Sequence, residues 1–371
     1  MTNVTTYSPV AQHLLAAKGP FASVYYADTH DEPDAAFRME LLWQDIAREL
    51  ERQGAHPALI GPLEQAFQAR PAAEHGGRGL ICGDGEVLVD ECLTNAPVTP
   101  VVRVSTLPYI VPIIDFGPIS GALMVLAIDQ VGADFTRYRG ESTVCETIEA
   151  GGYPVHKAAA AGLNAWGDSQ HRVEEEVRKN VRAVADHLTH ELDREAVDFV
   201  LVIGQDRVRA ELLSALPERV AARVAQPGTG SRHTGIDDAV HRAIAGEFQA
   251  RRRQIAQQVA DQYLAATGQR SGRAVTGLDA VSAALRENAV TALIIGQMSD
   301  ETVLAGDDLT AIALDADTLS SFGIAPARTL RADEALPFAA MALGADLVPA
   351  AAGLQLADGV GALLRYVPPS Y

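Results

Sequence analysis
The chain has 371 residues and carries 30 basic against 48 acidic side chains, a net charge of −18. A hydrophobic fraction of 48% supplies cores for two or three domains and excludes a disordered chain. The acidic balance excludes nucleic-acid binding held by bulk charge. The three cysteines, Cys82, Cys92 and Cys145, are too widely spaced for a zinc site and read as free thiols of a reducing cytosol.

The first residues, Met1 to Ser8, have neither a basic stretch nor an apolar core, so no signal peptide is expected. Met39 to Gln53 has helical periodicity, with Leu41, Leu42, Ile46 and Leu50 on one face. Gly79 to Val89 reads as a strand, a Gly83-Asp84-Gly85 turn and a second strand. Val101 to Val104 and Tyr109 to Ile114 add strands to this α+β unit. The longest apolar run, Leu107 to Ile128, contains Pro108, Pro112, Asp115 and Pro118. It reads as two buried strands around a Gly117-Pro118 turn, not as a membrane span.

Ala122 to Ile128 reads as a strand and Ala133 to Arg139 as its hairpin partner. A loop around Trp166 follows, with Gly167 for a tight turn and Asp168 or Ser169 as N-cap of a charged helix from about Gln170 to Leu192. That helix carries Arg172, Arg178, Lys179 and Arg182 among Glu174, Glu175 and Glu176. Phe199 to Ile203 is a strand, Val208 to Ala215 a helix, and Gly235 to about Thr267 a long polar helix. Leu278 to Asn288 is an amphipathic helix; Val290 to Ile295, Ala311 to Leu314, Asp346 to Pro349 and Gly361 to Val367 are short strands. Three domains are expected: an α+β domain over 1–116, an α/β domain with a projecting loop over 117–266, and an α/β domain over 267–371. Residues 116–265 hold 17 of the 30 cations, which leaves room for a basic face there.

The order of features resembles the archaeal and eukaryotic class-one release factors, Pelota, and their bacterial relatives, which include Balon-type hibernation factors. The resemblance rests on Gly359-Val360-Gly361-Ala362-Leu363-Leu364-Arg365-Tyr366, similar to the closing strand of the family's third domain. It rests also on Gly277 to Val281 with Ala289 to Ile295, similar to the helix and strand that open that domain, and on the strand, hairpin, loop, charged helix order of the middle segment. The resemblance implies a three-domain release-factor-like architecture and occupation of the ribosomal A site. It implies rRNA contacts from Trp166, Gly167, Ser169, Gln170, His171, Arg172, Arg178, Lys179 and Arg182. It further implies a translational GTPase partner, such as elongation factor Tu, on the third domain, whose residues 266–371 carry 6 basic and 12 acidic groups. The family's Gly-Gly-Gln is replaced by Trp166-Gly167-Asp168-Ser169-Gln170, and its Asn-Ile-Lys-Ser decoding motif is absent. Binding without peptide release, as in hibernation under stress, is therefore the expected function.

Two alternatives remain at this point. Gln170 supports peptidyl-tRNA hydrolysis in ribosome rescue if it acts without the second glycine. Gly167-Asp168-Ser169 with Asp238-Ala239-Val240-His241 imitates the two blocks of a Gly-Asp-Ser esterase. No cofactor is expected, because no phosphate-binding or dinucleotide loop is present. No metal is expected, since Asp129 and Asp134 lack further carboxylates and His171, His187 and His190 are scattered. Arg251-Arg252-Arg253 reads as a solvated helix face. A cytoplasmic protein without membrane contact is the expectation.

Overall fold
A computed structural model describes residues 8–28, 35–69, 76–93, 95, 97–117, 122–139, 142–149, 166–194, 197–225, 238–307 and 309–367. It has two compact units: Met1–Ser120 with Phe248–Tyr371, and Gly121–Glu247. The first and last thirds of the chain thus share a unit, and the multi-domain architecture mixes helix and sheet in both.

The first segment runs α1 (Ser8–Ala16), β1 (Phe21–Ala27), α2 (Ala35–Arg52), α3 (Pro57–Gln68), β2 (Gly77–Gly83), β3 (Glu86–Leu93), β4 (Val101–Ser105) and α4 (Val111–Phe116). Its antiparallel sheet has the order β3-β2-β1-β4. The β2–β3 turn places Asp84 at φ 52° and Gly85 at φ 81°, the left-handed pair that matches strand twist in a two-residue hairpin. Alternation along β1 divides its side chains between two cores. Ala22, Val24 and Tyr26 meet Trp43, Ile46 and Leu50 of α2 and Leu63 and Phe67 of α3. Phe21 and Tyr25 belong to a second cluster, which contains residues of the last segment.

Tyr109 to Ile114 is not the strand expected from its apolar run. A helix begins at Val111 with Pro112 in its first turn, where a missing N–H costs nothing, and it buries Ile113 and Ile114. Short apolar runs carry no period that separates the two states. Within this helix, burial raises the Asp115 carboxyl from its ordinary 3.8 to about 6, against the pull of Arg252. The folded state therefore holds this proton more tightly than the unfolded chain. Ionising Asp115 costs stability above pH 6, and that cost is relieved as pH falls from 6 toward 4. Asp115→Asn is expected to stabilise the protein by about 1–3 kcal/mol at pH 8 and to change little at pH 4. Urea unfolding of both proteins across this range checks it; a gain that is constant with pH contradicts it.

The second unit contains β5 (Ala122–Ile128), β6 (Gly132–Arg139), β7 (Ser142–Glu149), α5 (Trp166–Arg194), β8 (Val197–Gly204), α6 (Asp206–Ala215), α7 (Glu218–Ala221) and β9 (Val224–Ala225). The sheet order is β7-β6-β5-β8-β9. β5 pairs antiparallel with β6 and parallel with β8, so α5 is the crossover that parallel pairing requires. Asp129 closes the β5–β6 turn by accepting from the Val131 and Gly132 amides at 2.8 Å each. The long α8 (Asp238–Gly268) follows and spans the boundary between the units in sequence.

The last segment runs β10 (Ala274–Thr276), α9 (Leu278–Arg286), β11 (Val290–Ile295), β12 (Thr302–Ala305), β13 (Ile312–Ala313), α10 (Ala316–Ser321), β14 (Arg328–Arg331), α11 (Ala332–Ala342), β15 (Asp346–Pro349) and β16 (Val360–Leu364). It forms a β10-β16-β11-β15 sheet and a small β13-β12-β14 sheet. Leu336 and Ala339 of α11 join Leu14, Phe21, Tyr25 and Ile113 in one buried cluster. Arg103 of β4 adds a polar clasp there, reaching Asp333 at 2.8 Å and Glu334 at 3.3 Å.

Candidate functional site
The charged helix is longer at its start than its sequence suggested. Trp166, Gly167, Asp168, Ser169, Gln170, His171 and Arg172 lie within α5, which begins at Trp166. Gly167 is therefore not a turn glycine, and neither Asp168 nor Ser169 is the N-cap. The physical reason is that a 29-residue helix propagates cooperatively through weak formers, and an acidic residue in its first turn suits the positive end of the helix dipole. The backbone of these seven residues is helical; their side chains, and the projecting loop expected before them, lie outside the described residues. Gln170 thus occupies a helical position, a different setting from a glycine-flanked loop.

From Glu174 onward the helix is amphipathic. Val181, Val184, Ala185, Leu188 and Leu192 are buried against β5 and β8 side chains such as Met124, Leu126, Val200 and Val202. Fully burying an aliphatic side chain of this size contributes about 1.5–3 kcal/mol, so the outward face is fixed by the core. That outward face carries Arg178, Lys179 and Arg182, all exposed. Arg178 and Arg182 are four residues apart and so stand one above the other. Arg178 lies 3.6 Å from Glu211 of α6 while its side chain keeps 67% of its exposure, and Lys179 lies 3.4 Å from Glu176. Exposed pairs of this kind are worth less than about 1 kcal/mol, so the cations can exchange carboxylates for phosphates at little cost.

The structure adds a residue that spacing along one helix does not reveal. Arg207, at the start of α6, lies 3.5 Å from Glu174 of α5 and is strongly exposed. It belongs to the same cationic edge but comes from another element, so its only signal is the parallel β5–β8 topology that sets α6 beside α5. Asn180, by contrast, is buried and donates to the Gln130 carbonyl at 3.0 Å, which ties the helix to the β5–β6 turn.

Other residues singled out in the sequence are structural. Arg252 of α8 is part-buried and donates to the Gly117 carbonyl, so the arginine triplet is not uniformly a solvated face. Burial raises the Cys82 thiol to about 11, which keeps it protonated, and Cys92 is exposed and forms no disulfide. His187 packs edge-on against Phe135, with ring centroids 4.9 Å apart. Ser169 sits inside α5, and the described strand before it, β7, ends at Glu149. An esterase nucleophile elbow needs a strand leading directly into the serine. Among the described residues no three His, Cys, Asp or Glu side chains gather as a metal site. No helix among them is long and apolar enough to cross a membrane.

Comparison with known proteins locates this site within a family. The model for bacterial archaeo-eukaryotic release factor family 2 matches residues 122–269, which contain β5 to β9, α5 to α7 and all of α8. The Mycobacterium tuberculosis protein Rv2629 (strain H37Rv) is 45% identical over 355 residues, covering 95% of each chain. Among solved structures, a model of ribosome-bound archaeal Pelota and ABCE1 is similar at 16% identity, covering 96% of this chain and 93% of that one, with a TM-score of 0.42. The archaeal translation termination factor aRF1 is similar at 15% identity, with 96% and 95% covered and a TM-score of 0.25. The departure from Gly-Gly-Gln at Trp166 to Gln170 and the cationic α5 face are therefore features of a chain that belongs to bacterial archaeo-eukaryotic release factor family 2.

Proposed function
We propose that the protein is a cytoplasmic translation factor that binds the ribosomal A site without releasing peptide, acting as a hibernation factor. The observation that carries this reading is the family match over 122–269 together with the exposed Arg178, Lys179 and Arg182 on the outward face of α5. In this reading Trp166, Gly167, Ser169, Gln170, His171 and Arg172 at the start of α5 approach rRNA, and Arg178, Lys179, Arg182 and Arg207 contact phosphates. The acidic last segment recruits a protein, a translational GTPase such as elongation factor Tu, because its 12 carboxylates against 6 arginines repel RNA. Peptide hydrolysis is not part of the proposal, since the second glycine before Gln170 is replaced.

Cosedimentation of the purified protein with ribosomes tests binding, and ribosomes carrying a labelled peptidyl-tRNA test release. Rapid release that disappears in Gln170→Ala overturns the binding-only reading in favour of rescue. Arg178→Ala with Arg182→Ala is expected to weaken ribosome binding and to lower the slope of log affinity against log salt by roughly 1–2, near one per lost phosphate contact. Both side chains are exposed, so the fold should be unchanged. An unaltered slope returns α5 to the class of solvated helices.

A further inference from the structure
Between Arg286 and Arg328 the chain carries Glu287, Asp300, Glu301, Asp307, Asp308, Asp315 and Asp317 and not one Lys, Arg or His. This stretch includes β12, β13 and α10, which with β14 form the small β13-β12-β14 sheet and the helix beside it. Two large apolar side chains stand out from this lobe: Leu314, 43% exposed, and Phe322, 55% exposed. They flank α10, whose six residues set them roughly 10 Å apart along the helix.

Both are held on a rigid support. At the start of α10, Asp315 accepts from the Thr318 amide at 2.7 Å and from its hydroxyl at 2.8 Å. At its end, Gly323 takes φ 74° and donates to Ser320 O at 2.9 Å, while Ile324 donates to Leu319 O at 3.0 Å. This is the paired closure of a Schellman end, and it fixes Phe322 as the last cap residue. Leu319, fully buried, anchors the helix from below. Arg286 braces the lobe: it donates to Ile312 O at 2.5 Å and lies 5.3 Å from the Phe322 ring centroid. Asp315, Asp317 and Asp307 around this support are exposed.

We infer that Leu314 and Phe322, with Asp315 and Asp317 between and beside them, form a docking surface for a basic amphipathic segment of a partner protein. Charge decides the occupant. Carboxylates at this density repel nucleic acid and a second copy of the same acidic face, and they attract Lys and Arg. The apolar pair then requires side chains, not phosphates, to cover it. A surface pinned at both helix ends loses little freedom on binding, which favours affinity for a short segment. The inference rests on the reading of the last segment as protein-binding, and it does not require ribosome binding.

The test uses the full-length protein and three labelled probes: a synthetic Leu/Arg peptide that forms an amphipathic helix, a scrambled peptide of the same composition, and a homouridine oligonucleotide. The amphipathic peptide is expected to bind about tenfold more tightly than the scrambled one. Phe322→Ser is expected to remove that advantage, as is Leu314→Ser at the other end of α10, so that a folding defect in one variant does not decide the outcome. Asp315→Asn with Asp317→Asn is expected to weaken both peptides, while asparagine keeps the helix cap. Equal binding of the two peptides, or no effect of either serine variant in folded protein, overturns the inference. So does oligonucleotide competition at the patch, or a Phe322→Ser effect confined to self-association in sedimentation. If a translational GTPase binds the protein while the amphipathic peptide shows no advantage, the patch fails and GTPase recruitment survives; a peptide advantage that Phe322→Ser removes, in a protein that binds no translational GTPase, does the reverse.

Discussion

Arg103→Ala is expected to lower the unfolding free energy of the first unit by about 3–5 kcal/mol. Arg103 leaves β4 and reaches Asp333 at 2.8 Å and Glu334 at 3.3 Å, on the first turn of α11. Glu334 keeps only 2% of its side-chain exposure and Asp333 only 7%. Burial already pushes the Glu334 carboxyl above its ordinary value, and the Ser105 and Arg103 hydrogen bonds oppose that rise. Arg331 remains beside Asp333 at 3.0 Å when Arg103 is removed, but among the described residues no second cation pairs with Glu334. The cost is therefore concentrated on one buried carboxylate. The guanidinium also lies 3.8 Å from the Tyr109 ring centroid, and the Tyr109 amide is held by the Ser23 hydroxyl at 3.1 Å, so the variant loses a stacking contact as well.

Acid should soften the effect. Without Arg103 the Glu334 carboxyl titrates higher still, and protonation removes the uncompensated charge. The deficit should be full at pH 8 and shrink as pH falls below the raised folded value. A Glu334→Gln background should recover much of the loss, since a neutral amide needs no cation. Urea unfolding followed by Trp43 fluorescence in a Trp166→Phe background reports on this unit. A deficit below about 1 kcal/mol, or one independent of Glu334, shows that the clasp contributes no more than a surface pair.

Period and punctuation made most of the fold legible. The Asp84-Gly85 hairpin, the β5–β6 hairpin and the run that forms β11 follow from side-chain spacing and turn residues, and so do Ile46 and Leu50 of the α2 stripe; Leu41 of that stripe is exposed, and Met39 and Trp43 complete the buried face instead. Helix α11 was not legible, because nine of its eleven residues are buried. A helix buried on nearly every side, with its two carboxylates Asp333 and Glu334 also buried, has no exposed polar face to mark its period, and Pro337 inside it imitates a break. The start of α5 was misplaced for the opposite reason: Gly167, Asp168 and Ser169 are turn and cap formers locally, and propagation of a long helix overrides them. The cations of the candidate site were visible as residues, but their outward direction was fixed only once Val181, Val184 and Leu188 were placed against the sheet. Arg207 and the clasp from Arg103 to Glu334 were invisible, since each joins elements distant in sequence.

Gly359→Ala is expected to cost at least about 3 kcal/mol, from left-handed backbone strain and steric overlap together. Gly359 stands at φ 71°, next to Asp358 at φ 53°, where the chain turns into β16. A Cβ here would lie 2.0 Å from the Gln297 carbonyl oxygen and 2.8 Å from the Met298 amide nitrogen. Both are backbone atoms, so no rotamer change relieves the overlap. The turn itself cannot shift freely. The Gly359 carbonyl accepts from the Gly296 amide at 2.8 Å, and the Asp358 carboxylate accepts from the Leu278 amide at 3.0 Å, which joins the loop after β11 to the start of α9. Gly353 provides the comparison: it has φ 84° and nothing within 4 Å of its Cβ position. Gly353→Ala should show the backbone cost alone, about 1–2 kcal/mol. The difference between the two variants, read by urea unfolding in the Trp166→Phe background, isolates the clash with Gln297. If Gly359→Ala is no more destabilising than Gly353→Ala, the close approach of β16 to the loop after β11 is not what requires glycine in the Gly359-Val360-Gly361 motif.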